Sequence, residues 1–158
     1  MQKRILRNST ILTAVILLVG TLALPVVAKD KKQVTRAIKG SSVMTIHYTP
    51  TGPTTANFHN EEDGVATYTG RFHNVSEGTT SFLTGALTAS GTITAANGDT
   101  AHWVFDNGNW IIYGGTGRFE NASGYLLWTV VDQSDPVPLP DGTFVVTILA
   151  AYGGEITF

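Results

Sequence analysis

Thr69-Gly70-Arg71-Phe72-His73-Asn74-Val75-Ser76-Glu77-Gly78 lines up with Thr116-Gly117-Arg118-Phe119-Glu120-Asn121-Ala122-Ser123-Gly124-Tyr125, 47 residues further along the chain. Thr-Gly-Arg-Phe, Asn and Ser coincide. That spacing is too long for a solenoid in a chain of 158 residues, and two copies point to two halves of a closed sheet. Each copy reads as a bend that glycine permits, a Phe sent into the core, and an Asn-x-Ser turn. The two Asn-x-Ser triplets, at Asn74 and Asn121, also match glycosylation sequons, but their place in the repeat favours turn chemistry. The motif holds Arg71 and Arg118, the only strong cations after residue 40, against eleven Asp and Glu, a net charge of −9. Each arginine is therefore expected to pair a carboxylate or cap backbone carbonyls.

Around the repeat the chain is a series of short apolar or Thr-rich runs divided by turn residues. Strands are expected near 42–49, 65–75, 80–89, 91–96, 100–106, 109–113, 122–132 and 143–157. Asn97-Gly98 and Asn107-Gly108 suit the positive φ angles of tight hairpins, and Asp141-Gly142 marks another turn. Asp135 to Pro140 carries three prolines and is expected to be a rigid loop. Thr49 to Gly64, with two Pro, two Gly and Glu61-Glu62-Asp63, reads as a loop or a lid at a cavity edge. Eight antiparallel strands with no helix between them suggest a meander closed into an eight-stranded, calycin-like β-barrel, with a two-sheet sandwich as the alternative. In the last strand Phe144, Val146, Ile148, Ala150 and Tyr152 share one face, and Val145, Leu149 and Ala151 the other. Two apolar faces imply cover on the outside too, and an oligomer is expected.

The first 40 residues differ from the rest. Lys3, Arg4 and Arg7 precede an apolar run from Ile11 to Leu24 that ends in Pro25-Val26-Val27-Ala28. Residues 1–28 thus have the layout of a signal peptide cleaved after Ala28, and uncleaved they would form a membrane anchor; either places the domain outside the cytoplasm. Residues 29–40, rich in Lys, read as a basic flexible tail, and residues 41–158 as the barrel domain. The acidic domain should repel phosphate backbones, so nucleic acid is not an expected partner. The absence of cysteine excludes disulfides, thiol nucleophiles and thiolate metal sites.

Ile112-Tyr113-Gly114-Gly115-Thr116-Gly117-Arg118-Phe119-Glu120-Asn121-Ala122-Ser123-Gly124 resembles the glycine signature of the allene oxide cyclase-like and dirigent-like barrels, and Thr94 to Thr100 strengthens the resemblance to their bacterial members. It covers roughly residues 64–158 and rests on a turn motif. It implies an eight-stranded barrel with a mainly apolar cavity, assembled as a homotrimer. Plant allene oxide cyclases cyclise a fatty-acid epoxide with a buried Glu and an Asn-held water, and dirigent members steer phenoxy-radical coupling with acidic cavity residues. No motif here matches those residues, so no catalytic role is carried over.

From the residues themselves, Glu155 is the candidate acid or base, because it lies in the otherwise uncharged segment Ala150 to Phe158, where burial would raise its pKa; an ion pair with Arg71 or Arg118 is the preferred alternative for it. Tyr48, Trp103, Phe105, Trp128 and Tyr152 are the candidates to line a ligand cavity. Gly70, Arg71, Phe72, Gly114, Gly115, Gly117, Arg118 and Phe119 form the structural motif. A metal site from His59, Glu61, Glu62 and Asp63 is weighed against a solvated loop, and the loop is preferred; no metal or cofactor is expected. His102 and Asp106 are about 13 Å apart along an extended strand and form no dyad. No GxSxG elbow occurs, which argues against a serine hydrolase. The leading expectation is an exported barrel that binds a small apolar or aromatic molecule. The alternatives are a cyclase or isomerase and a ligand-free surface-interaction protein.

Overall fold

A strand that lines a barrel needs every second side chain to point inward, and those positions here are small, apolar or uncharged with the exception of Glu62. The computed structural model describes residues 33–158. Its strands are β1 (Thr35–Pro50), β2 (Thr55–Ala66), β3 (Gly70–Ser81), β4 (Leu87–Ala95), β5 (Thr100–Asp106), β6 (Asn109–Gly115), β7 (Ser123–Gln133), the two-residue β8 (Val137–Pro138) and β9 (Phe144–Thr157). A single 3₁₀ turn, Gly117–Phe119, precedes β7. Consecutive strands pair antiparallel from β1 to β7, β7 pairs β9, and β9 returns to β1. The fold is therefore a closed, eight-stranded antiparallel barrel, with β8 an appendage on the edge of β9 beside Phe144 and Val145. One continuous sheet excludes the sandwich.

The register sets the interior in rows across the strands. Ser42, Gly64, Phe72 and Ala95 form one row, and Met44, Glu62, Asn74 and Ile93 the next. Ile46, Asn60, Ser76, Gly91 and Trp103 form the third, and Tyr48, Phe58, Gly78 and Ala89 the fourth. Gly91 is required by close approach: a Cβ there would sit 2.7 Å from Cζ2 of Trp103, so its absence makes room for the indole. At the opposite end from the fourth row the barrel is packed by Ile38, Phe119, Ala122 and Ile156. Phe144, Val146, Ile148, Ala150 and Tyr152 all face inward or half-inward from β9.

Several expectations are corrected. Thr49 to Gly64 is not a loop or lid: only Thr51–Thr54 turn, and β2 begins at Thr55. The strand was hidden because its inward set, Ala56, Phe58, Asn60, Glu62 and Gly64, is half polar, whereas apolar alternation marks strands in sequence. The strand expected over 65–75 is two strands, broken at Thr67–Thr69, where Tyr68 takes a φ of 70°. Likewise 80–89 contains the β3–β4 turn. Thr35–Gly40 belongs to β1 and pairs β9, so the basic segment is in part a barrel strand. The signal-peptide reading of residues 1–28 lies outside the described residues.

The two copies share a left-handed glycine and a buried phenylalanine but not a conformation, since Gly70–Phe72 opens β3 whereas Gly117–Phe119 is the 3₁₀ turn. Gly70 and Gly117 both take left-handed φ angles, 66° and 56°, and Phe72 and Phe119 are both buried. Beyond them the copies diverge further: Asn121 lies in a turn, but Asn74 lies inside β3, fully buried, which overturns the turn reading of that Asn-x-Ser. Arg118 meets its expectation, with Nε 3.2 Å from Asp99 Oδ2 and a hydrogen bond of 2.7 Å to Asn97 Oδ1; Arg71 is exposed. The same Asp99 accepts the backbone N–H of Arg118, and with Asn97 donating to it the carboxyl is held below the usual range. A Cβ on Gly117 would fall 2.0 Å from Asp99 Oδ1, whereas on Gly70 it would meet only Ala96 at 3.9 Å. Gly70→Ala should therefore cost only the left-handed backbone penalty of about 1–2 kcal/mol, and Gly117→Ala more. Urea unfolding of both variants checks the order.

Candidate functional site

Toward the Tyr48 end the third and fourth interior rows do not fill the barrel, and a cavity of about 160 Å³ remains. Its wall combines Met44, Ile46 and Tyr48 of β1, Phe58 and Asn60 of β2, Ser76 and Thr80 of β3, Trp103, Trp110 and Trp128, and Ile148 of β9. Trp103 and Trp110 stack with ring centroids 4.4 Å apart and planes 6° from parallel. At the mouth Tyr48 stacks on Phe144 at 4.9 Å, and Phe82, from the β3–β4 turn, lies edge-on to Tyr48 at 5.6 Å. Burial raises the Tyr48 hydroxyl above its ordinary pKa, so it stays neutral. A second space, lined by Phe72, Trp110, Leu126 and Tyr152 among others, is only about 20 Å³. Larger hollows of about 480 and 310 Å³ are open depressions over β2–β4, and Glu77 and Ser90 line both.

Between the cavity and the packed end lies a belt of buried polar side chains. Asn74 Nδ2 donates to Glu62 Oε2 at 2.8 Å, and Trp103 Nε1 donates to Asn74 Oδ1 at 2.9 Å. Asn60 Nδ2 donates to Ser76 Oγ at 3.1 Å, and Ser42 is hydrogen-bonded to the Tyr152 hydroxyl. Two buried acceptors, Asn60 Oδ1 and Glu62 Oε1, have no partner. Glu62 is 1% exposed, and burial pushes its pKa up to about 7, opposed by its donor Asn74 and by the nearby side chains of Ser42 and Asn60. A carboxyl at that pKa can hold or release a proton near neutral pH, as a general acid or base must.

Of the residues singled out in the sequence, Tyr48, Trp103 and Trp128 line the cavity. Tyr152 lines the smaller space instead, and Phe105 packs against the core without lining either. Glu155 is not buried: inward positions on β9 are the even numbers, and Glu155 stands exposed on the outer face opposite Tyr125. Alternation also splits the His59–Asp63 cluster. Glu62 turns inward, while His59 and Glu61 (3.8 Å) and His73 and Asp63 (3.0 Å) pair outside. Among the described residues no group of three His, Asp or Glu side chains is arranged to hold a metal ion.

Sequence reasoning missed Glu62, Asn74 and Asn60. The signal that could have found them is period two itself: Ala56, Phe58, Asn60, Glu62 and Gly64 alternate with His59, Glu61 and Asp63, whatever their polarity. Compared with protein-family models, with curated proteins and with solved structures, the chain matches none.

Proposed function

We propose that this chain is an exported small β-barrel protein that binds a small hydrophobic or aromatic molecule inside the barrel. The observation that carries the reading is the cavity of about 160 Å³ walled by three tryptophans, Tyr48 and Phe58. It is close in size to an engineered apolar cavity of about 150 Å³ that takes up benzene, and well under the roughly 300 Å³ at which drug-sized pockets begin. The ligand is therefore one ring or two small fused rings in size. Export is supported by the basic, apolar and small-residue order of the first 28 residues. The Gly114-Gly115-Thr116-Gly117 segment supports a place beside the allene oxide cyclase-like and dirigent-like barrels. Exposed Val43, Leu127 and Leu149 on the outer face support assembly of several copies.

The test is a thermal-shift screen of the purified chain against short-chain fatty acids, phenols and monoterpenoids. A binder at a hundredfold excess over its Kd should raise Tm by about 5 °C or more. No shift across the panel would overturn the proposal.

A second reading, a cyclase or isomerase, is favoured by one observation: Glu62 is a buried carboxyl with a pKa of about 7, one interior row from the cavity. Under it, Glu62→Gln abolishes turnover of a bound compound without abolishing its binding. Product formation that survives the substitution would exclude Glu62 as the acid or base.

A further inference from the structure

We infer that the cavity selects ring compounds carrying one N–H or O–H donor, and that Asn60 is the residue that selects them. The inference rests on the cavity reading above and names the class of ligand. The apolar side chains of the wall accept any ring of the right size and set shape, and the hydroxyls of Tyr48, Ser76 and Thr80 can each donate as well as accept. Asn60 is different. It lines the cavity, its side chain is 3% exposed, and its Oδ1 has no hydrogen-bond partner. Its Nδ2 donates to Ser76 Oγ at 3.1 Å, so the nitrogen is engaged and the carbonyl oxygen is the spare group.

A pure hydrocarbon in this space leaves that acceptor unpaired, whereas a ligand donor satisfies it. Sites built to bond a polar group discriminate strongly against the analogue that lacks it, because the protein's own buried group is then stranded. The donor must be uncharged: the cavity offers no carboxylate of its own, since Glu62 lies a row deeper.

Indole and indene are a suitable pair, nearly alike in shape but differing in the N–H. With the full chain, calorimetric titration should find indole bound at least as tightly as indene, although indene is the more hydrophobic. In Asn60→Leu the indole-to-indene affinity ratio should fall at least about tenfold, or 1.4 kcal/mol, with indene binding kept. Tighter binding of indene by the wild-type chain, or a ratio that Asn60→Leu leaves unchanged, overturns the inference but leaves the cavity reading standing. Failure of both compounds to bind overturns both. If Asn60→Leu does not fold, the wild-type ratio decides.

Discussion

Trp103→Ala should destabilise the barrel by about 3–5 kcal/mol, the range for removing a large buried aromatic side chain. Three losses coincide at this residue. The indole is 2% exposed, so its whole apolar area returns to a void. Its stacking on Trp110, at 4.4 Å between centroids, is lost, and a well-aligned pair adds about 0.5–1.5 kcal/mol beyond burial. Its Nε1 also satisfies Asn74 Oδ1, which would become a third orphaned acceptor in the belt. Gly91, directly beneath the indole, has no side chain to move into the void. Trp128, which is only half-buried, should lose much less on the same change. Urea unfolding of the two variants measures both, and a cost for Trp103→Ala below about 1 kcal/mol would contradict its central place in the core.

Glu62→Gln should act in the opposite direction, and only above a certain pH. Burial raises the folded-state pKa of Glu62 from 4.5 to about 7. Between those values the folded barrel holds a proton that the unfolded chain has released, so stability falls as pH rises through this window. Below pH 4.5 both states are protonated and the penalty is absent; above pH 7 it is fully present. A shift of that size corresponds to about 3 kcal/mol. Gln keeps the shape and an acceptor for Asn74 Nδ2 but never ionises. The variant should therefore match the wild-type chain near pH 4 and exceed its stability by up to about 3 kcal/mol near pH 8. Taking the difference between the two chains at each pH cancels the titration of the outer histidines and carboxylates. A difference that does not grow with pH would mean that Glu62 ionises freely in the folded barrel.

These two residues mark what the sequence disclosed and what it did not. Trp103 stood in an apolar, β-prone run beside Asn107-Gly108, a turn whose φ angles of 47° and 85° are those of the tight hairpin it signalled. Local chemistry of this kind carried the barrel. Glu62 stood between Glu61 and Asp63, and three acidic residues in a row read as solvent-exposed by composition. What buries the middle one is pairing across β1 and β3, which supplies Asn74 as its donor and Met44 as its other neighbour. Partners 12 residues away on a strand that was itself misplaced leave no local trace. Glu155 failed for the converse reason. Its strand was correctly located, but the inward face of β9 is fixed by register with β1 and β7, and an odd position there faces out. The turn reading of Asn74 failed because similarity to Asn121 was taken as similarity of place, although the first copy runs on as a strand from Gly70 and the second turns as a 3₁₀ helix from Gly117.

The β1–β9 seam gives the barrel a property of timing. It runs from Thr35 opposite Thr157 to Tyr48 opposite Phe144, joining the two most distant parts of the described chain. The hairpins between β2 and β7 can zip locally, each closing a short loop, but this seam must gather more than 90 residues before a single pair forms. The cavity straddles it, with Met44, Ile46 and Tyr48 on one bank and Ile148 on the other. An incomplete chain can thus hold hairpins yet has no binding chamber at all. Occupancy by a ring compound would then report on the final act of folding, and a ligand that bridges both banks would act as a latch on the closed state.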